Sequence, residues 1–169
     1  LAVIGLTISC NGGKTQENTS VVKPLYISEP VDFDTDDPAI WINPQNAAQS
    51  LVIGTDKDTN GGLYVFDLKG KIIKNKTIKG LKRPDNVDIA YGLLLGGKKT
   101  DIAVTTERYT HKLRIFSLPE MKPVDKGGIP VFVGETGVEY RDLMGIAMYT
   151  DPTGKVYVIV GRKSGPKEG

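Results

Sequence analysis

Histidine and cysteine each occur only once in the 169 residues. A single cysteine excludes an intramolecular disulfide framework and any cysteine-rich zinc site. A single histidine excludes a histidine-based metal site and a two-histidine acid/base mechanism. An excess of either charge is missing too: 22 basic and 20 acidic residues leave a formal charge of +2. That is no electrostatic footprint for duplex nucleic acid, and no nucleic-acid partner is expected. Long apolar runs are absent at the start, where Leu1–Ile8 is far too short to span a bilayer.

What is present is punctuation and alternation. Twenty glycines and ten prolines suit many short strands and tight turns better than long helices. Alternation or β-branched enrichment marks AIWI (39–42), SLVIGT (50–55), GLYVFDL (62–68) and KIIKNKTI (71–78) as four successive strands. NVDIAYGLLL (86–95), DIAVTTE (101–107), KLRIFSL (112–118) and IPVFVG (129–134) form a second set, and MGIAMY (144–149) and KVYVIVG (155–161) begin a third. The second strands of the sets start near Leu51, Asp101 and Lys155, a period of roughly 50 residues. Four-stranded antiparallel units at that period are the signature of β-propeller blades. The fold class is therefore an all-β propeller of four-stranded antiparallel blades, of which about two and a half are present.

The termini carry a separate message. Residues 1–10 read as the tail of a secretory apolar region, with cleavage just before Cys10. LTISC is similar to a bacterial lipoprotein box, except that Thr7 stands where an aliphatic residue is usual. In that reading Cys10 is a lipid anchor and residues 11–23 are a polar tether. Residues 24–169 are then a partial propeller domain, expected to continue beyond a C-terminus that stops in a loop. The expected location is secreted or lipid-anchored at the bacterial outer membrane or cell surface, with the periplasm as the alternative.

The repeat also organises the polar residues. DTDDPAIWINP crowds Asp34, Asp36 and Asp37 ahead of an apolar strand, with Asp32 just upstream. Such a cluster is either a solvated turn or a hard-cation site, because Ca²⁺ takes several oxygens and neutralises their repulsion. Acidic or amide groups return before the next two first strands, at Asp85, Asn86 and Asp88, and with Arg141 at Asp142. The second strand of each unit ends in a cation: Lys57, Arg108, Lys163. In an antiparallel pair the start of one strand lies beside the end of the next, so both groups are expected at one mouth of a central channel. Carboxylates beside cations suit a polyanion held partly through metal ions. Chance placement of polar residues at strand ends is the alternative.

DDPAIW, LVIGTDK, GGLYVFDLKGK, NVDIAYG, DIAVTTER and GRKSG together resemble the β-propeller phytases, in order and from about Glu29 to Gly169. The resemblance implies a six-bladed, monomeric, Ca²⁺-dependent enzyme that removes phosphate from phytate (myo-inositol hexakisphosphate) by metal-activated water. It implies phosphate binding by Lys57, Arg108 and Lys163, and Ca²⁺ sites served by Asp36, Asp37, Asn86 and Asp88. Asp85 stands where the family often has asparagine. Met144 replaces a tyrosine near the substrate, Ser164 an acidic residue and Asp58 a second lysine. Neither an Arg-His-Gly nucleophile motif nor a cysteine followed by a phosphate loop is present, in keeping with a metal-activated water that needs no side-chain nucleophile. A non-catalytic surface propeller binding a polyanion or glycan is the competing reading, and a propeller esterase or lactonase a third.

Some conspicuous residues are read as structural. Trp41 is expected in the core between blades. His111 is read as an exposed turn residue, and Lys98 and Lys99 as a hairpin turn on the opposite face. Lys69, Lys71, Lys74, Lys76 and Lys79 are read as lysines blunting an outer strand.

Overall fold

The alternating runs become antiparallel strands in chain order. The computed structural model describes residues 22–165. The readings of the leader, the Cys10 anchor and nearly all of the tether lie outside the described residues. In the first sheet, β1 (Thr35–Trp41), β2 (Leu51–Asp56), β3 (Gly61–Phe66) and β4 (Ile78–Leu81) lie side by side in sequence order. β5 (Pro84–Leu95), β6 (Lys98–Glu107) and β7 (Lys112–Leu118) repeat the plan, and two short strands, β8 (Lys122–Pro123) and β9 (Ile129–Pro130), both pair with β7. β10 (Leu143–Thr150) and β11 (Val156–Arg162) open a third unit. β1 packs beside β5 and β5 beside β10. The first strands are thus neighbours and each sheet extends away from them, as in successive propeller blades.

The outermost strands depart from the sequence reading. The fourth strand of the first blade is Ile78–Leu81, not residues 71–78. After β3 the chain makes a turn at Asp67–Gly70, touches back through a single Phe66–Ile72 bridge, and turns again before β4. Of its lysines only Lys79 lies on the outer strand; Lys69, Lys71, Lys74 and Lys76 sit in the turns before it. Lys71 pairs with Glu29, Lys79 with Asp32, and Lys76 donates to the Pro119 carbonyl. In the second blade the run expected at 129–134 pairs over only two residues, because Phe132 and Gly134 adopt positive φ and end the extended chain. Alternation alone does not distinguish a paired strand from an extended loop.

Packing between blades supplies the core. Ala39, Trp41, Leu51, Ile53, Leu63, Val65 and Leu81 of the first blade meet Val87, Ala103, Phe116, Leu118 and Met121 of the second. Ile102, Val104 and Leu113, on the other face of the second blade, meet Leu143 of the third. Successive residues of a strand point to opposite faces. A blade covered on both sides therefore reads as an almost unbroken apolar run, as at Ile102–Val104. Trp41 lies in this core as expected, 3% exposed, and its indole Nε1 donates to Asp101 of the second blade at 2.9 Å. Full burial of a side chain such as Ile53 is worth about 1.5–3 kcal/mol. The β5–β6 hairpin turns at Gly96 and Gly97, both with positive φ, which places Lys98 and Lys99 at a hairpin turn as read.

One irregularity recurs in every first strand. The β1–β2 register slips between Thr35 and Pro38, the β5–β6 register between Pro84 and Val87, and the β10–β11 register between Leu143 and Ile146. Each slip is a β-bulge that takes two residues out of regular pairing: Asp36–Asp37, Asp85–Asn86 and Met144–Gly145. The freed backbone groups find partners in a threonine. Thr55 accepts the Asp37 N–H at 2.9 Å and donates to the Asp85 carbonyl of the next blade at 3.0 Å. Thr106 accepts the Asn86 N–H at 3.1 Å and donates to the Met144 carbonyl at 3.1 Å.

Both hydroxyls are fully buried, so replacing either by valine strands a donor and an acceptor. Thr55→Val and Thr106→Val should each lower unfolding stability by about 1–3 kcal/mol. Exposed Thr59→Val should stay within about 0.5 kcal/mol. Urea titration of the three variants checks this, and equal midpoints would remove the bridges from the account.

Candidate active site

Antiparallel pairing brings the end of each second strand to the start of its first strand. The Lys57 N–H donates to the Asp34 carbonyl at 2.7 Å, Arg108 N–H to Arg83 at 3.0 Å and Lys163 N–H to Asp142 at 2.8 Å. The three cations read from the sequence therefore occupy one structural position in three units. The glycines of β3 help hold the first of them. A Cβ on Gly61 would lie 1.9 Å from the Asp56 carbonyl oxygen, and one on Gly62 2.1 Å from that of Ile78. Only glycine lets β3 lie this close beneath the turn that carries Lys57.

The same position is wired differently in each blade. In the first, Lys57 Nζ donates to Asp36 Oδ1 at 2.7 Å and lies 3.7 Å from Asp34, with all three side chains partly exposed. Hydrogen bonding to Asp36 holds the Lys57 ammonium above the usual lysine range. In the second, Arg108 Nη2 donates to Asp85 Oδ1 at 2.6 Å, and the two side chains are only 5% and 2% exposed. Arg108 Nε donates to the Leu143 carbonyl of the third blade at 3.0 Å, and its guanidinium also touches the Met144 sulfur. Burial pushes the Asp85 carboxyl up, against the pull of Arg108 and Arg83. In the third, Met144 and Gly145 stand where the other blades carry a carboxylate and its neighbour. Among the described residues Lys163 has no carboxylate partner, and it is exposed.

The remaining sequence-read residues line the first strands. Asp37 Oδ2 accepts the Val87 N–H of the next blade at 2.9 Å. Asn86 occupies the matching bulge position in β5. Asp88 lies further along β5, with Oδ1 accepting the Ile89 N–H at 2.8 Å and Oδ2 the Met148 N–H of the third blade at 2.7 Å. Asp37 and Asp88 thus already tie neighbouring first strands. No group of three or more acidic, histidine or cysteine residues is placed to hold a metal ion among the described residues. The donors offered are all oxygens, which suits Ca²⁺, but Asp36 Oδ1, Asp37 Oδ2 and both Asp88 oxygens already accept hydrogen bonds, which leaves fewer than the roughly six to eight it takes.

Three features were not read from the sequence. Asp56 and Glu107, each directly before a cation, are buried and grip the chain leading into a first strand. Asp56 Oδ1 accepts the Phe33 and Asp34 N–H groups at 3.1 and 2.7 Å, and Glu107 Oε1 accepts the Lys82 N–H at 2.8 Å. The repeated acid–cation pairs DK and ER were the available signal. Arg83 is the third, a cation where the other two blades carry Asp34 and Asp142. His111, for its part, is not an exposed turn residue. It is half-buried with φ 56°, its ring Nδ1 lying 3.1 Å from the Arg141 carbonyl. The left-handed turn it makes directs the ring inward onto the next blade.

Comparison with known proteins bears on this arrangement. The family model described as Phytase matches residues 8–169. A 3-phytase of Bacillus subtilis (strain 168) is 29% identical over 144 residues, covering 81% of this chain and 35% of the relative. The chain thus spans about a third of the length of this relative.

The two ion pairs differ enough to be told apart by mutation. Asp85→Ala leaves a buried guanidinium without its counter-charge and should destabilise by about 3–5 kcal/mol. Asp36→Ala opens a partly exposed pair and should change stability by no more than about 1 kcal/mol. Denaturant unfolding of both variants decides it, and equal losses would contradict the burial contrast.

Proposed function

Because this chain belongs to the phytase family, we propose that the full-length protein is a phosphomonoesterase that hydrolyses phytate with the help of Ca²⁺. The observation that supports it most directly is the recurrence of Lys57, Arg108 and Lys163 at one backbone position in three adjacent blades. A single cation at a strand end needs no ligand to explain it. Three at one backbone position would serve several phosphates through charge-assisted hydrogen bonds, with Lys57 and Lys163 at the surface and Arg108 beneath it.

The cations would act in different ways. The Lys57–Asp36 pair is partly exposed, so exchanging the carboxylate for a phosphate oxygen costs about 1 kcal/mol or less. Until that exchange, the hydrogen bond to Asp36 holds Lys57 protonated, with its pKa above the usual lysine range. The Arg108–Asp85 pair is buried and expensive to break, so Arg108 would remain anchored and orient substrate from a fixed place. Lys163, exposed, would reach a third phosphate.

Asp36, Asp37, Asn86 and Asp88 are the residues we assign to Ca²⁺ binding, with further oxygens supplied from outside the described residues. Bound Ca²⁺ would activate water and offset the charge on the transferring phosphoryl group. We further propose that the protein is a secreted or Cys10-anchored monomer acting outside the cytoplasm. The competing reading, a non-catalytic propeller that binds a polyanion or glycan, draws on the third blade, where Met144 and Gly145 have removed the oxygens present in the other two.

Phosphate release from phytate by the full-length protein, with Ca²⁺ and then with a chelator, tests the proposal. Release should require Ca²⁺, and Lys57→Ala should lower kcat/KM about a hundredfold with little change in stability. Arg108→Ala should lose both activity and stability. No release from a folded, Ca²⁺-supplied protein would favour the binding module.

A further inference from the structure

The bulge of the third blade carries sulfur where the other two carry a carboxylate. Its first position is Asp36 in β1, Asp85 in β5 and Met144 in β10. The chain has three methionines, and their surroundings differ. Met121 lies in the core between the first two blades, 2% exposed, and Met148 packs against the cluster between the second and third. Met144 is 39% exposed, and its sulfur touches the buried guanidinium of Arg108.

That contact joins an oxidisable group to an ion pair with no reserve. Arg108 Nη2 donates to Asp85 Oδ1 at 2.6 Å and meets the Met144 sulfur with the same nitrogen. Asp85 Oδ2 is buried without a hydrogen-bond partner, and Arg83 Nε stands 3.9 Å from Oδ1. Among the described residues Arg108 alone hydrogen-bonds the Asp85 carboxylate. A thioether is a weak acceptor, whereas its sulfoxide is polar and accepts through oxygen. A sulfoxide oxygen directed at Nη2 competes with Asp85 for it. One directed away draws the sulfur off the guanidinium toward water. Both remove what holds Arg108 on that side.

We propose that Met144 is an oxidation site, at which a hydroperoxide forms the sulfoxide, loosens the Arg108–Asp85 pair and so weakens anion binding at the strand ends. A sulfur lone pair attacks the terminal peroxide oxygen, and the S–O bond forms as the O–O bond breaks. The departing oxygen takes the proton of the transferred one and leaves as water or an alcohol. Sulfur is oxidised by two electrons and the peroxide reduced by two. The effect on substrate rests on the phytase reading; the modification and the loosened pair rest on the geometry alone.

The test treats the full-length protein and its Met144→Leu variant with hydrogen peroxide. Peptide mass spectrometry should find the added oxygen on Met144 about tenfold sooner than on Met121. The oxidised wild type should unfold at lower urea. It should also bind myo-inositol hexasulfate, a polyanion that phosphatases do not hydrolyse, about tenfold more weakly, the loss of one charge-assisted hydrogen bond. Methionine sulfoxide reductases for both epimers should reverse the two changes. Met144→Leu, which keeps every other oxidisable side chain, should show neither. Should Met144→Leu not fold, Met144→Gln, whose amide oxygen is an acceptor in place of the sulfoxide, should reproduce both losses without peroxide. Oxidation of Met144 no sooner than Met121, or an oxidised protein with unchanged urea midpoint or hexasulfate affinity, overturns the inference and leaves the phytase reading standing. A wild type that releases no phosphate from phytate, yet reversibly loses hexasulfate affinity on oxidation of Met144, overturns the hydrolase reading and upholds the inference. A wild type that neither releases phosphate nor binds hexasulfate overturns both.

Discussion

A β-bulge at the head of every first strand governs where this protein places its polar groups. Regular pairing would have left Asp36–Asp37, Asp85–Asn86 and Met144–Gly145 alternating between the faces of a sheet, one side chain of each pair directed between blades. The bulge takes both residues out of the ladder and leaves backbone groups to be satisfied elsewhere. Thr55 and Thr106 meet that demand, and in doing so connect each blade to the next. The register, the junction between blades and the carboxylates at the strand ends are consequences of the same irregularity.

That constraint gives the strand-end face two kinds of ion pair from one pattern. Lys57 and Asp36 meet where water reaches both, so their partnership is weak and exchangeable. Arg108 and Asp85 meet under the third blade, where the Leu143 carbonyl and the Met144 sulfur also reach the guanidinium. Removing either partner there would leave a buried charge. Sequence position makes Lys57 and Arg108 equivalent; desolvation makes one a group that can change partners and the other a fixture.

The repeat is also imperfect in charge from blade to blade. The position before each first strand runs Asp34, Arg83, Asp142, and the first bulge position runs Asp36, Asp85, Met144. Carboxylates therefore concentrate on the first blade, and among the described residues the third carries a cation without a carboxylate partner, with a double guanidinium between them. A polyanion laid across such a surface would meet a graded field rather than a uniform ring, and its orientation would be fixed by that gradient.

The all-β class, the repeat of roughly 50 residues and the return of acid and cation at each strand pair are written in the chain, because alternation and strand-end chemistry are local properties. So is the core role of Trp41, an aromatic inside an apolar strand. The outer strands were not legible: residues 71–78 alternate well, yet turns at Asp67–Gly70 and after Ile73 keep all but Ile78 out of the paired strands. Nor were the exposure of Lys57 beside the burial of Arg108, the inward turn of His111, or the position of Arg83 between two cations. Each of these depends on which neighbouring blade covers the residue, and burial by a distant segment leaves no mark on local periodicity. The chain by itself set which chemical groups are present and at what interval; only the packing of one blade on the next decided which of them remain free to meet a ligand.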